Sequence, residues 1–124
     1  MSIEEQLHSY LTGYAPLTAV IGANKVFFVL APQGTEFDYV VINKITGGRL
    51  RKVGFGSPLL QVSYFSKDKY DALEGAEILI EALDGYQGTW GTMVVSGSYQ
   101  NDRVLVEDDI FHAPVEVQIN HLEV

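Results

Sequence analysis

Cysteine is absent from this chain of 124 residues. Its absence excludes a disulfide scaffold and any zinc site that needs thiolate ligands. No apolar run approaches the roughly 18 residues that a membrane-spanning helix requires. The first ten residues, MSIEEQLHSY, lack the basic and then apolar pattern of an export signal. We therefore expect a soluble protein that is made in the cytoplasm and does not contact a membrane.

Basic residues are scarce, with 8 lysines and arginines against 16 aspartates and glutamates and a net charge of −8. An acidic surface repels nucleic acid unless its basic residues are segregated on one face. Arg49, Arg51 and Lys52 do cluster, but three cations cannot outweigh the remaining charge. Nucleic-acid binding is therefore excluded as the main role.

The apolar content is high enough for a well-packed interior. Hydrophobic residues make up 47% of the chain and charged residues 19%, which argues against disorder. A chain of this length buries roughly two-thirds of the surface that its unfolded form exposes. We predict a single domain over residues 1–124, without a linker or an internal repeat.

Two helices are indicated by capping signals and apolar spacing. Ser2 and Glu5 form a capping box, and the helix that follows ends near Gly13. Pro16 suits the start of a short second helical turn that ends at Gly22. Residues 59–85 predict a strand and then a central helix, capped by Ser66 or Asp68 and ended by Gly85. The predicted apolar stripe of the central helix is Tyr70, Leu73, Ala76, Ile80 and Leu83.

The remaining strands follow from alternation and turn residues. Residues 25–30 are apolar on both faces, which predicts a strand covered on both sides. Further strands are predicted at 38–45, 89–99, 103–107 and 115–122, with a hairpin turn at 100–102. The predicted fold is α+β: a mainly antiparallel β-sheet packed against two α-helices, one N-terminal and one central.

No pattern of catalytic residues is present. Asp108, Asp109 and His112 are of types that bind divalent ions, but a solvated acidic turn explains the same residues. No serine lies in a Gly-x-Ser-x-Gly elbow, and the glycines at 47, 48, 54 and 56 do not make a phosphate-binding loop. Trp90 more readily covers the edge of the core or an interface than stacks on a ligand. We predict no catalytic residue, no cofactor and no metal.

Three motifs carry a resemblance to a known family. They are LTAVIG at residues 17–22, APQG at 31–34 followed by DYVV at 38–41, and QVSYFS at 61–66 leading into YDAL at 70–73 and ALDG at 82–85. In order and spacing, the chain resembles the phage tail completion family, also called tail-to-head joining or tail terminator proteins. The likeness spans nearly the whole chain, and the third motif carries most of it.

The resemblance implies a structural virion protein without catalysis. Such proteins form rings, usually hexamers, that cap the tail tube and meet the head–tail connector, so the implied partners are copies of this chain, the tail tube protein and the connector. DNA would pass through the ring without specific binding. The implied location is the tail–head junction of a phage or prophage particle assembled in a bacterial host. The alternative is a small α+β enzyme or ligand-binding domain with a pocket between sheet and helices.

A glycine-rich basic loop at 46–58 is the feature most suited to assembly. We read it as a projecting loop or the frayed tip of a hairpin. Its apolar residues would anchor a contact and its cations would set the register, against an acidic surface of a neighbouring subunit or of the tail tube. The alternative interpretation is that the basic residues and Asp108 and Asp109 belong to two unrelated solvated loops without a role in contacts. The predicted interface residues are Arg49, Leu50, Arg51, Lys52, Val53 and Phe55, here called the basic tip, and Asp108 and Asp109, here called the acidic turn.

Overall fold

A computed structural model describes residues 3–22, 24–46, 49–50 and 55–123, without the side chains at 46, 49, 50, 55 and 123. Within these residues there are three helices and nine strands. The helices are α1 (Ile3–Thr12), α2 (Ala15–Ile21) and α3 (Lys69–Leu83). The strands are β1 (Val26–Phe28), β2 (Tyr39–Thr46), β3 (Arg49–Leu50), β4 (Phe55–Gly56), β5 (Leu59–Ser66), β6 (Gln87–Trp90), β7 (Met93–Asp102), β8 (Leu105–Glu107) and β9 (Ile110–Glu123).

The strands form one mixed, curled sheet in which β9 is central. β5 and β4 pair with one edge of β9, and β7 and β8 also pair with it. β2 extends the sheet beyond β5, β6 extends it beyond β7, and every pair is antiparallel except β1 with β2. The α+β class is therefore confirmed in outline, with three helices where two were predicted.

The core lies between the helices and one face of the sheet. Alternate strand residues point into it, and those of β5 and β9 are fully buried, as their alternation predicted. α3 packs on β5, β7 and β9, and α1 packs on β1 and β2. The fully buried side chains are led by Tyr64, Leu7, Leu11, Leu17, Ile42, Leu60, Leu79, Leu83 and Ile119.

The caps of the central helix match the sequence pattern. An Asp68 carboxylate oxygen accepts from the amide nitrogens of Tyr70 at 2.8 Å and Asp71 at 3.1 Å, so it is Asp68 that caps α3. Ser66 instead accepts from the Asp68 amide. The capping box predicted for α1 depends on Ser2, which lies outside the described residues.

The buried face of α3 differs from the predicted stripe. Tyr70 is 73% exposed and Leu73 is 40% exposed. The face that meets the sheet is made largely of small residues, because the helix lies so close to β5 that a Cβ at Gly75 would overlap the ring of Tyr64. The buried residues of α3 are Ala72, Gly75, Ala76, Leu79, Ala82 and Leu83.

The prediction of a doubly covered strand at 25–30 is wrong. β1 has three residues and pairs only with β2, at the edge of the sheet. Val29 has a φ of 65° and turns the chain away from the strand direction. As a result Val29 is 73% exposed and Leu30 is 79% exposed.

The hairpin predicted at 100–102 is also wrong. The predicted strand 89–99 is instead interrupted by a hairpin turn at Gly91 and Thr92, where Trp90 pairs with Met93. β7 continues through residues 100–102 with a bulge between Tyr99 and Asn101. The following strand, β8, pairs with β9 and not with β7.

Candidate assembly surfaces

The predicted loop at 46–58 contains an extension of the β2–β5 hairpin. Arg49 pairs with Gly56 and Leu50 with Phe55, and β4 then pairs with the end of β9 at His121 and Leu122. The described backbone therefore fits the interpretation as the tip of a hairpin better than the interpretation as a projecting loop. Arg51, Lys52 and Val53 lie outside the described residues.

The base of this hairpin is tied to β9 by a set of hydrogen bonds. Gln118 donates through Nε2 to the carbonyl oxygen of Ser57 at 3.1 Å and to its Oγ at 2.7 Å. Ser57 Oγ donates to Asn120 Oδ1, and the amide of Ile119 donates to the Pro58 carbonyl. The hairpin therefore leaves the sheet from a fixed point.

The acidic turn connects β8 to β9 as a two-residue hairpin turn. Glu107 pairs with Ile110 across it, and the φ angles of Asp108 and Asp109 are 51° and 63°. Aspartate is among the few residues that adopt this left-handed conformation readily. Both side chains are exposed, and the neighbouring Leu105 and Val106 are 42% and 63% exposed.

The basic tip and the acidic turn lie at opposite ends of β9. β4 pairs with Leu122, whereas the acidic turn immediately precedes Ile110. Twelve residues of extended strand separate these positions by roughly 40 Å. The described residues of the basic tip therefore do not contact the acidic turn within one molecule.

His112 belongs to a row of aromatic rings and not to a cluster of ligands. Its ring stacks on Phe65 at a centroid distance of 4.3 Å, and Phe65 stacks on Tyr39 at 5.0 Å. Burial lowers the pKa of His112, Arg103 lowers it further, and Glu107 opposes both. Across the ranges that the structure describes, no group of three or more His, Asp or Glu side chains is placed to hold a metal ion.

Trp90 packs within the protein, as predicted. It is 7% exposed. Its Nε1 donates to Tyr86 Oη at 2.9 Å, and its ring lies 5.5 Å from that of Tyr10. Tyr10 in turn donates through Oη to the Ala82 carbonyl, so the aromatic group joins α1 to the end of α3.

A groove that the sequence did not predict lies on the outer side of α3. It is open to solvent, encloses about 390 Å³, and has an apolar floor with an acidic rim. The available signal was the spacing of Glu74, Glu77 and Glu81, which puts three carboxylates along one side of the helix. The lining residues, which define the α3 groove, are Leu73, Glu74, Ala76, Glu77, Ile78, Glu81 and Asp102.

Negative charge also concentrates at the start of α3. Tyr64 donates through Oη to Asp38 Oδ2 at 2.8 Å, which holds that carboxylate near the helix. Loss of solvation, followed by the charges of Asp68, Asp38 and Glu74, raises the pKa of Asp71. The charges of the neighbouring carboxylates therefore contribute to the raised pKa of Asp71, after the loss of solvation.

None of the helices in the described part of the chain is long and apolar enough to cross a membrane.

No protein-family model matches the chain, and no curated protein matches its sequence. Solved structures do match. One is a chain of the virion of a native gene transfer agent particle, with a TM-score of 0.78 and 14% identity, covering 98% of this chain and 95% of that one. A second solved chain has a TM-score of 0.65 and 14% identity over 100% of this chain and 98% of its own. At these identities the likeness establishes a shared fold over the whole domain.

Proposed function

We propose that this chain is a structural virion protein of a phage or phage-like particle, which caps the tail tube and joins the tail to the head. The observation that carries the proposal is the fold shared end to end with a chain of a gene transfer agent virion. The three motifs of the tail completion family point in the same direction. We assign no catalytic residue and no cofactor to this role.

The proposed mode of action is assembly into a ring, of six copies by analogy with the family. A ring requires that one patch of each subunit contacts a different patch of the next. The separation of the basic tip from the acidic turn by the length of β9 suits such a contact. The net charge of −8 suits a lumen that passes DNA without holding its phosphates.

The proposed partners of the ring are the tail tube protein on one side and the head–tail connector on the other. We propose that the basic tip and the acidic turn serve these contacts and those between subunits. The alternative role, as an enzyme or ligand-binding domain, places a pocket between sheet and helices. The space between α3 and the sheet is filled by fully buried side chains, including Tyr64, Leu79 and Ile119. A cavity of about 410 Å³ does lie between α1 and the strands β1 and β2, but we assign no ligand to it.

Deletion of the gene from its phage or prophage tests the function. We expect tails of excess length or tails without heads in electron micrographs, because nothing would stop tube growth or present a surface to the head. Complementation with the intact gene should restore complete particles. Particles of normal tail length and normal head attachment after deletion would contradict the proposal.

Charge reversal tests the basic tip within the same assay. Changing Arg49, Arg51 and Lys52 together to glutamate should leave the subunit folded and give the deletion phenotype. Reversal of Lys67 and Lys69, which lie near the start of α3, provides a matched control with a smaller change of charge. Normal tails from this variant would contradict the proposal that the basic tip belongs to the interface.

A further inference from the structure

In the part of the chain that the structure describes, no segment fills the α3 groove. Glu74, Glu77 and Glu81 are exposed, and Leu73 is 40% exposed beside them. Over the described residues, no lysine or arginine forms an ion pair with any of these carboxylates. The groove therefore presents apolar surface and uncompensated negative charge together.

In the free subunit this arrangement places repelling charges next to exposed apolar side chains. Glu77 lies three residues after Glu74 and four before Glu81, and like charges at these spacings repel on a helix surface. Exposed apolar side chains next to them gain nothing from solvent. A partner that is cationic at its edges and apolar at its centre would neutralise the carboxylates and remove the apolar side chains from water.

The basic tip has that composition. Within residues 49–55, RLRKVGF, three cations alternate with Leu50, Val53 and Phe55. Three of the eight basic residues of the chain are thereby placed on one short hairpin. The basic tip therefore complements the α3 groove both in charge and in its apolar side chains.

The described part of the basic tip lies away from Asp102, which lines the groove of the same subunit. Asp102, on the groove, pairs with Val115, whereas Phe55 pairs with Leu122. Seven strand residues separate these levels by roughly 23 Å. From Gly56 to Phe55 the described part of the hairpin runs towards the end of β9, away from the level of Val115. This separation favours an occupant from another molecule.

We propose that the α3 groove receives the basic tip of a second copy of this chain. The inference rests on the proposed function, because it makes the contact a repeating one between ring neighbours. The acidic turn is the competing acceptor on the same subunit. It is a two-residue turn without a groove, so it cannot enclose Leu50, Val53 and Phe55.

Engineered cysteine pairs test the contact, and the natural chain has no cysteine to interfere. The test pair is Val53→Cys with Leu73→Cys, and the matched control is Val53→Cys with Glu107→Cys, beside the acidic turn. Particles are isolated from producing cells, oxidised mildly and run on non-reducing gels. The test pair should give a ladder of covalent oligomers and the control pair should remain monomeric.

The outcomes separate this inference from the function. A ladder from the control pair, or none from the test pair in particles that contain the protein, overturns the groove as the acceptor and leaves the capping role standing. Absence of the protein from complete particles contradicts the proposed function itself.

A charge swap provides a second readout. Arg51→Glu with Lys52→Glu, and separately Glu77→Lys with Glu81→Lys, should each reduce complete particles about tenfold or more. The combined variant should recover most of that loss. The thermal midpoint of the free Glu77→Lys, Glu81→Lys subunit should not fall, because repulsion along α3 is relieved. Folded single variants without recovery in the combination would overturn the proposal.

Discussion

At the scale of single residues, backbone geometry explains several side chains before any function is considered. Asp108 and Asp109 occupy left-handed positions of a tight turn, which by itself explains why aspartate is found at both positions. Gly97 lies where β7 meets the end of α3, and a Cβ there would overlap the carbonyl oxygen of Leu83. The amide of Gly85 also donates to the Gly97 carbonyl, so the helix end is bound to this strand.

Substitution of Gly97 by alanine should destabilise the fold by about 1–3 kcal/mol, because the added methyl group forces two backbone segments apart. Gly13→Ala is the matched control, since the nearest atoms to its Cβ, the carbonyl oxygens of Ser9 and Tyr10, lie at 3.6 and 3.7 Å. The control should change stability by less than about 0.5 kcal/mol. Denaturant titration of both variants measures the difference. Equal stabilities would show that α3 can move away from β7.

His112 should make the stability of the subunit depend on pH. Burial, followed by Arg103, lowers the pKa of its folded state, while the unfolded chain binds its proton near pH 6.5. Below about pH 6.5 the unfolded state therefore binds more protons, and the free energy of unfolding falls as the pH decreases towards the folded pKa.

His112→Phe keeps a ring against Phe65 and removes the titrating group. Denaturant titrations at pH 7.5 and pH 5 should show a smaller loss of stability in the variant than in the natural protein. The carboxylates titrate in both proteins, so the difference between the two losses isolates His112. Identical losses would mean that His112 keeps its ordinary pKa in the fold.

At the scale of elements, segments whose pattern and packing agree were predictable. β5 and β9 follow the alternation of their buried residues. α3 was predictable as a helix from its cap and its spacing, although only Ala76 and Leu83 of its predicted stripe are buried. The wrong predictions concern segments whose structure depends on the element that packs or pairs beside them. The run at 25–30 is apolar but lies at a sheet edge, and the turn before β7 is set by the Trp90–Met93 pairing.

Shortening the hairpin should separate folding from assembly. Replacing residues 51–54 with Asn-Gly would join Leu50 to Phe55, which already pair, by the two-residue turn that hairpins favour. We expect an unchanged or higher thermal midpoint, because the described core does not depend on the replaced residues. Complete particles should be lost with the tip.

The same Asn-Gly replacement at Asp108 and Asp109 is the control, because it preserves a two-residue turn while removing the acidic turn. Circular dichroism follows folding, and electron microscopy counts complete tails. If the variant with the shortened hairpin gave normal tails and the control gave defective tails, the assembly contact would be assigned to the acidic turn and not to the basic tip.

At the scale of the whole molecule, charge is distributed unevenly. Lys44 precedes the hairpin that carries Arg49, Arg51 and Lys52. The carboxylates of α3 and of the acidic turn lie on other parts of the subunit. Under the proposed function, this distribution of charge would favour head-to-tail contacts between copies, which is the arrangement that a ring needs.

Assembly should therefore weaken with salt. The screening length falls from about 10 Å at 0.1 M to about 3 Å at 1 M ionic strength, which removes attraction between exposed charges. Sedimentation velocity at the two salt concentrations should show fewer oligomers at the higher one. The Asn-Gly tip variant should show no such dependence. Oligomers that increase with salt would indicate a contact driven by apolar burial alone.

The amino-acid sequence by itself determined the single acidic domain, the α+β class, the capped central helix and the alternating strands, because local spacing encodes which face of an element is buried. Only the tertiary structure decided which strands pair, that β1 lies at an edge, and that the basic tip and the acidic turn are separated by the length of β9. It also revealed the α3 groove, which joins residues of a helix to Asp102 of a distant strand. Pairing and grooves depend on contacts between residues far apart in the chain, and spacing along the chain carries no record of them.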